Sequence, residues 1–250
     1  MRLGTDTSAA EASEDLADIL HHGPVPPHLS LAELSEVRAR FIAGCGWAPF
    51  PQVHAEFQHR DSTLARHEEF DEVLLWFEHD LYDQLQLIQI LNQFHAAPPA
   101  SLSLIQSATY LGHLAPSQLA DLFPTRVSVT AAQLSLAAAA WNAFRQPDPR
   151  ALHEFLTPQA ALPFLAAALL RYCEEYPWTT DQLTRTQRTI ARLRAEGLTD
   201  PHDLFRAFCR DEEPFWMGDD TFFLILEDKL PPPAGWLWDP TRRRFSPRPS

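Results

Sequence analysis

Residues 73–77 (VLLWF) form an unbroken apolar run that opens on a β-branched side chain and ends on two aromatic ones. This is the pattern of a strand buried on both faces. A polar knot of Glu78, His79 and Asp80 follows. Leu81, Leu85, Ile88 and Leu91 then recur at helical spacing, while Asp83, Gln86, Gln89 and Gln93 make a polar stripe. Strand, acidic turn and helix predict a β–α unit, and open α/β sheets take their ligands beyond the carboxyl ends of such strands. The pattern therefore locates a crevice without naming its chemistry.

The same reading extends along the chain. Gly4, Thr5, Asp6, Thr7 and Ser8 read as a loop opening a helix over 9–20, and Gly23-Pro24-Val25-Pro26-Pro27 as a stiff extended connection. Ser30 and Glu33 set a capping box for a helix over 31–44, and 52–67 is a polar, His-rich helical segment. Pro98 and Pro99 stop the helix that ends near Ala96. Residues 102–106 (LSLIQ) predict a second strand, so that strand, helix and strand give parallel neighbours. Further helices are expected over 116–122, 131–144 (capped by Thr130 with Gln133), 150–156 and 159–175.

From Trp178 the pattern changes. Thr184 with Gln187 caps a helix ending at Gly197, and Asp200-Pro201 opens another through Cys209. Gly218-Asp219-Asp220 leads a third over 221–230, although FFLIL alone suits a strand. Trp236-Leu237-Trp238 and Arg244-Phe245 predict a small hairpin. Three short helices and a hairpin are the content of a winged-helix-like module. The expected architecture is thus α/β: a small, mostly parallel sheet with helices over 1–126, a helical segment over 127–178 packed on it, and a winged-helix-like C-terminal module over 179–250.

Composition narrows the function classes. The chain has 250 residues and a formal net charge of −13, concentrated in residues 1–180, which carry 9 basic and 21 acidic side chains. An acidic body repels a phosphate backbone, so nucleic acid is not an expected partner. No apolar stretch reaches the roughly 18 residues that span a bilayer. Cys45, Cys173 and Cys209 are odd in number and lack CxxC spacing, which predicts reduced thiols and a cytoplasmic protein.

Residues 75–91 (LWFEHDLYDQLQLIQIL) resemble a bacterial family defined as domain of unknown function 1835. The segments 22–26 (HGPVP), 38–41 (RARF), 141–144 (WNAF) and 171–177 agree with that resemblance. Residues 184–193 and Met217-Gly218-Asp219 resemble its companion, domain of unknown function 3658. The resemblance implies a fold and carries no activity. The family opens with a strand and a Gly-Asp-Ser loop. Here Gly4 to Ala10 stands in place of that loop with no leading strand legible before it, so the N-terminus reads as shortened and no loop-borne phosphate site is expected.

The candidate site residues are His79, Asp80, Asp83 and Ser107, gathered by the expected ends of the two strands. Carboxylates and an imidazole at such a corner suit a general base or a divalent metal. The commoner explanation is that Asp80 caps its helix, the acids complement the helix dipole, and His79 is merely hydrogen-bonded. Ser107 and Tyr110 follow the second strand and could face the same crevice, and at most one of His21 and His22 would join His79. No HxxxH, GxSxG, Walker or GxGxxG motif is present, so no metal set and no cofactor is assigned. Arg185, Arg188, Arg192 and Arg194 read as a solvated helix face. Three readings follow. The first is an accessory protein binding a small-molecule ligand or a protein partner. The second is a metal-assisted hydrolase or transferase acting on a nucleotide-like substrate, with His79 or Asp80 as base. The third is a transcription regulator using the C-terminal module.

Overall fold

The computed structural model describes residues 2–4, 12–13 and 18–249. In chain order the elements are β1 (Arg2–Gly4), β2 (Ala12–Ser13), α1 (Leu31–Gly44), α2 (Phe50–Ala65), β3 (Glu72–Phe77), α3 (Leu81–Ala96), β4 (Leu102–Gln106) and α4 (Pro116–Leu122). There follow β5 (Val127–Ser128), α5 (Ala131–Phe144), α6 (Leu165–Cys173), α7 (Arg185–Ala195), α8 (Pro201–Asp211), α9 (Asp219–Leu226), β6 (Trp236–Asp239) and β7 (Arg244–Pro247). The protein is mixed α/β.

The larger sheet has the order β2-β1-β3-β4-β5. β3 and β4 are parallel, Val73 facing Leu102 and Phe77 facing Gln106. The pairs β1–β2, β1–β3 and β4–β5 are antiparallel. The sheet is therefore mixed rather than mostly parallel. The apolar pattern revealed only β3 and β4, and the two- and three-residue strands β1, β2 and β5 are too short to show a period. Arg2–Gly4 does form a strand, contrary to the expectation that no strand leads the chain. Ala12–Ser13 pairs with it as a strand instead of lying in a helix over 9–20. Asp18 to Leu20, the end of that expected helix, run as loop and turn, while residues 9–11 and 14–17 and the loop residues Thr5 to Ser8 lie outside the described residues.

Val73, Leu75, Phe77, Leu102 and Leu104 are buried in one large apolar cluster, whose members run from Leu20 to Phe245. The C-terminal helices and the β6–β7 hairpin thus share a core with the sheet. α3 packs against both α5 and α6. That double covering explains why Gln86 and Gln89, expected on a solvated stripe, are buried along with Gln84. Gln84 Nε2 donates to the Glu78 carbonyl at 2.7 Å, closing the corner after β3. The helix expected over 159–175 begins only at Leu165, because Pro163 supplies no N–H for a helix interior. Residues 149–155 wind as a 3₁₀ helix. α7, α8, α9 and the β6–β7 hairpin have the element content read from the sequence. Among the described residues no helix is long and apolar enough to cross a membrane.

Two buried guanidinium groups tie distant segments together. Arg38 of α1, fully buried, pairs with Asp18 at 2.8 Å and donates to the carbonyls of Ile19, His22 and Pro24. It fixes the segment that carries His21 and His22. Arg171 of α6 pairs with Glu175 at 2.6 Å and with Glu212 just beyond α8, and donates to Thr186 of α7 at 3.1 Å.

Candidate functional site

β3 ends at Phe77, and three residues later Asp80 adopts extended backbone and caps α3, its Oδ1 accepting from Asp83 N–H at 3.0 Å. Asp83 in turn accepts from Glu78 N–H, and Glu78 Oε1 accepts from Leu111 N–H at 2.6 Å. Three carboxylates are thereby held at one corner by backbone N–H groups, without an arginine or lysine partner among the described residues. A cavity of about 540 Å³ opens beside them.

One wall of this cavity is the corner itself, with Glu78, Asp80, Tyr82 and Asp83. His21, from the segment held by Arg38, and Trp47, just after α1, stand beside it, and Tyr110 extends from the loop after β4. The opposite wall is the segment from Phe215 to Thr221, which leads into α9 with Gly218 at its cap. Tyr110 Oη donates to the Phe215 carbonyl at 2.8 Å and joins the two walls.

Burial governs the charge states here. It pushes the Asp80 carboxyl up to about 6, with Glu78 adding to the rise and the Asp83 and Tyr82 N–H groups opposing it. Burial pushes Asp83 up to about 7, reinforced by Asp80 and Glu78. The Tyr82 and Tyr110 hydroxyls are also raised, chiefly by burial. Both histidines move the other way. Burial holds His21 well below the usual imidazole range, and His22 falls to about 4 by burial despite Glu175, with Arg38 and Arg171 adding to the fall. Both ring nitrogens of His21 and the indole nitrogen of Trp216 are buried without a hydrogen-bond partner among the described residues.

The four residues expected at the site separate into two pairs. Asp80 and Asp83 line the cavity together. Asp80 does cap its helix, and it also faces the cavity, so the structural and functional explanations coexist. His79 does not line the cavity. Its ring lies 5.2 Å from that of Tyr110 and 5.9 Å from that of Phe164, and Nε2 lies 3.9 Å from Glu213. Side chains alternate along extended backbone, so Glu78 facing the crevice turns His79 away. Ser107 is buried and satisfies a local turn, its Oγ donating to the Thr109 carbonyl at 2.6 Å and accepting from Thr109 N–H at 3.1 Å. His22 faces a second, smaller cavity with Glu175 and Gln187, and His21 stands between the two cavities and lines both.

Sequence reasoning left out Tyr82, Trp47 and the whole opposite wall. Met217-Gly218-Asp219 was legible as part of a family resemblance, though no spacing rule connects it to Asp80. Cys45 is partly buried, and burial raises its thiol above the ordinary value. Among the described residues no three His, Cys, Asp or Glu side chains group as a metal ion requires. The chain matches no protein-family model, no curated protein and no solved structure.

Proposed function

We propose that this protein binds a small organic molecule in the cavity beyond the C-terminal end of β3, acting as a ligand-binding accessory protein. Its position is the one open α/β sheets use for ligands, and its volume of about 540 Å³ falls within the usual range for such pockets. The observation that carries the reading is the coincidence, around one cavity, of two raised aspartates without a lysine or arginine partner and a buried histidine whose ring nitrogens have no hydrogen-bond partner, all among the described residues. The three free cysteines suit a cytoplasmic setting.

The experiment is a thermal-shift screen of the purified chain against metabolites, repeated with Gly218→Phe. Gly218 lines the cavity, and a Cβ there would meet no atom within 4 Å, so the position accepts a side chain and a phenyl ring is placed to compete for the cavity. A stabilising ligand whose effect is lost in the variant supports the proposal. A screen in which nothing shifts the melting temperature, or in which every shift survives the variant, overturns it.

A second reading is an acid–base hydrolase or transferase acting on a nucleotide-like compound. It is favoured by one observation: carboxyl groups raised to about 6 and about 7 are poised to exchange protons near neutral pH. In that reading Asp83 takes the role of base first assigned to His79. The regulator reading has less support. A winged-helix-like module matches the element content of residues 179–250, but α9 buries Thr221, Phe222 and Ile225 and begins with Asp219 and Asp220, which suits no phosphate-lined groove.

A further inference from the structure

The cavity wall carries five carboxylates, on Glu78, Asp80, Asp83, Asp219 and Asp220, and no lysine or arginine. Two helices, α3 and α9, begin there, and free helix N-termini draw anions. These two are already answered by the chain's own acids. Asp80 accepts from Asp83 N–H, Asp83 from Glu78 N–H, and Asp219 from Asp220 N–H. A carboxylate offers about four acceptor sites, so each acid keeps oxygen capacity after that bond. Arg38 and Arg171, the cations that act on His21, are held by Asp18 and by Glu175 with Glu212. Among the described residues the cavity is therefore an acceptor-rich space lined by no lysine or arginine.

His21 is the independent sign of a ligand. Only 6% of its surface is exposed, it stands in the cavity wall, and neither ring nitrogen has a partner among the described residues. A neutral imidazole presents one N–H and one acceptor nitrogen, and a ligand N–H answers the acceptor. Trp47, Tyr82, Tyr110, Phe215 and Trp216 supply aromatic faces in the same space, which attract cations and flat apolar groups.

We infer that the ligand is a small organic cation, a protonated amine on a flat apolar body, with its nitrogen among Asp80, Asp83, Asp219 and Asp220 and its body against the aromatic wall. This deepens the ligand-binding reading and rests on it. The titratable groups around Asp83 among the described residues are Glu78, Asp80 and Tyr82 on its own wall, His21 and Tyr110 beside it, and Asp219 and Asp220 on the opposite wall. The two raised aspartates gain charge between weakly acidic and weakly alkaline pH, so cation affinity rises over that interval.

The test is calorimetric titration of the full chain near neutral to weakly alkaline pH with three probes sharing one ring system: tryptamine, 3-methylindole and indole-3-acetate. Tryptamine is expected to bind about tenfold more tightly than the neutral 3-methylindole, and indole-3-acetate more weakly still. Asp83→Asn should weaken tryptamine about tenfold and leave 3-methylindole unchanged. The double variant Asp219→Asn with Asp220→Asn, at exposed positions where refolding is not at issue, should move tryptamine in the same direction. Equal affinity across the three probes, or a preference for the anion, overturns the cation inference and leaves cavity binding intact. Silence from all three with a neutral or anionic hit from the thermal-shift screen does the same, whereas a cationic hit supports the inference. Silence in both experiments brings down the inference and the ligand-binding reading together.

Discussion

Two clusters of buried acid sit on either side of His21 and His22, and they are built by opposite rules. Around Arg171, the carboxylates of Glu175 and Glu212 meet a guanidinium, and Thr186 Oγ1 also donates to Glu175 at 2.8 Å. Burial alone would raise Glu175, but Arg171 and Thr186 outweigh it and hold its carboxyl below the ordinary value. Around Asp83, burial meets no lysine or arginine among the described residues, and the carboxyls of Asp80 and Asp83 rise instead. The first cluster closes on itself and joins α6, α7 and the end of α8. The second is left open toward a cavity. A buried acid with its counter-charge is architecture, whereas one without it points to something that arrives from outside.

The sharpest way to break this comparison is to unpair the closed cluster. Arg171→Met leaves Glu175 buried without a cation and Glu212 with only the longer contact to Arg185 at 3.4 Å, and is expected to cost about 3–5 kcal/mol in urea denaturation. A loss no larger than that of an exposed substitution would erase the distinction between the two clusters.

Next in size is the acid limb of the stability profile. His22 binds a proton less readily folded than unfolded, so its stabilising contribution is present above 6.5 and lost as pH falls toward about 4. By linkage that loss amounts to about 3 kcal/mol, and His22→Asn should flatten it when stability is measured across this range. An unchanged acid limb would show that His22 does not drive it.

The open cluster has the opposite sign. Asp80 and Asp83 bind protons more readily folded than unfolded. Their contribution is therefore fullest below the ordinary value of 3.8 and is lost as pH rises toward about 6 and about 7. Asp83→Asn removes this penalty while its amide oxygen still accepts from Glu78 N–H. It should gain about 2 kcal/mol at weakly alkaline pH, below the linkage ceiling because an amide is the weaker acceptor. A destabilised Asp83→Asn at that pH would mean the carboxylate is structurally required. The smallest expected effect is that of Ser107→Ala, which loses one local turn bond worth about 1 kcal/mol. It should leave ligand binding untouched, and a change in affinity would restore Ser107 to the site.

How much of this was legible follows from range. β3, α3 and β4 stand where the apolar runs and the caps predicted, since each rests on periodicity and on capping groups within a few residues, such as Asp80 with Asp83. The capping residues Gly218-Asp219-Asp220 likewise decided for a helix at α9 against the strand-like FFLIL run. The sheet's direction was misjudged, because β1, β2 and β5 are too short to carry a pattern. At the site, the corner was legible but its sidedness was not. His79 and Asp83 are equally polar in sequence, and only the turn of the backbone sends one toward Phe164 and the other into the cavity. The far wall was illegible because nothing local links Trp216 to Asp80.

That far wall has a consequence for biosynthesis. The hydrogen bond from Tyr110 to Phe215 spans 105 residues, and everything facing the acidic corner across the cavity emerges from the ribosome after Phe215. A growing chain exposes its uncompensated aspartates to water for most of translation and acquires a binding chamber only near the end. If the cavity takes a ligand as proposed, that molecule has no part in the early folding of the sheet; it would stabilise the last act, the seating of α9 on the finished body, and so couple supply of the molecule to the survival of newly made protein.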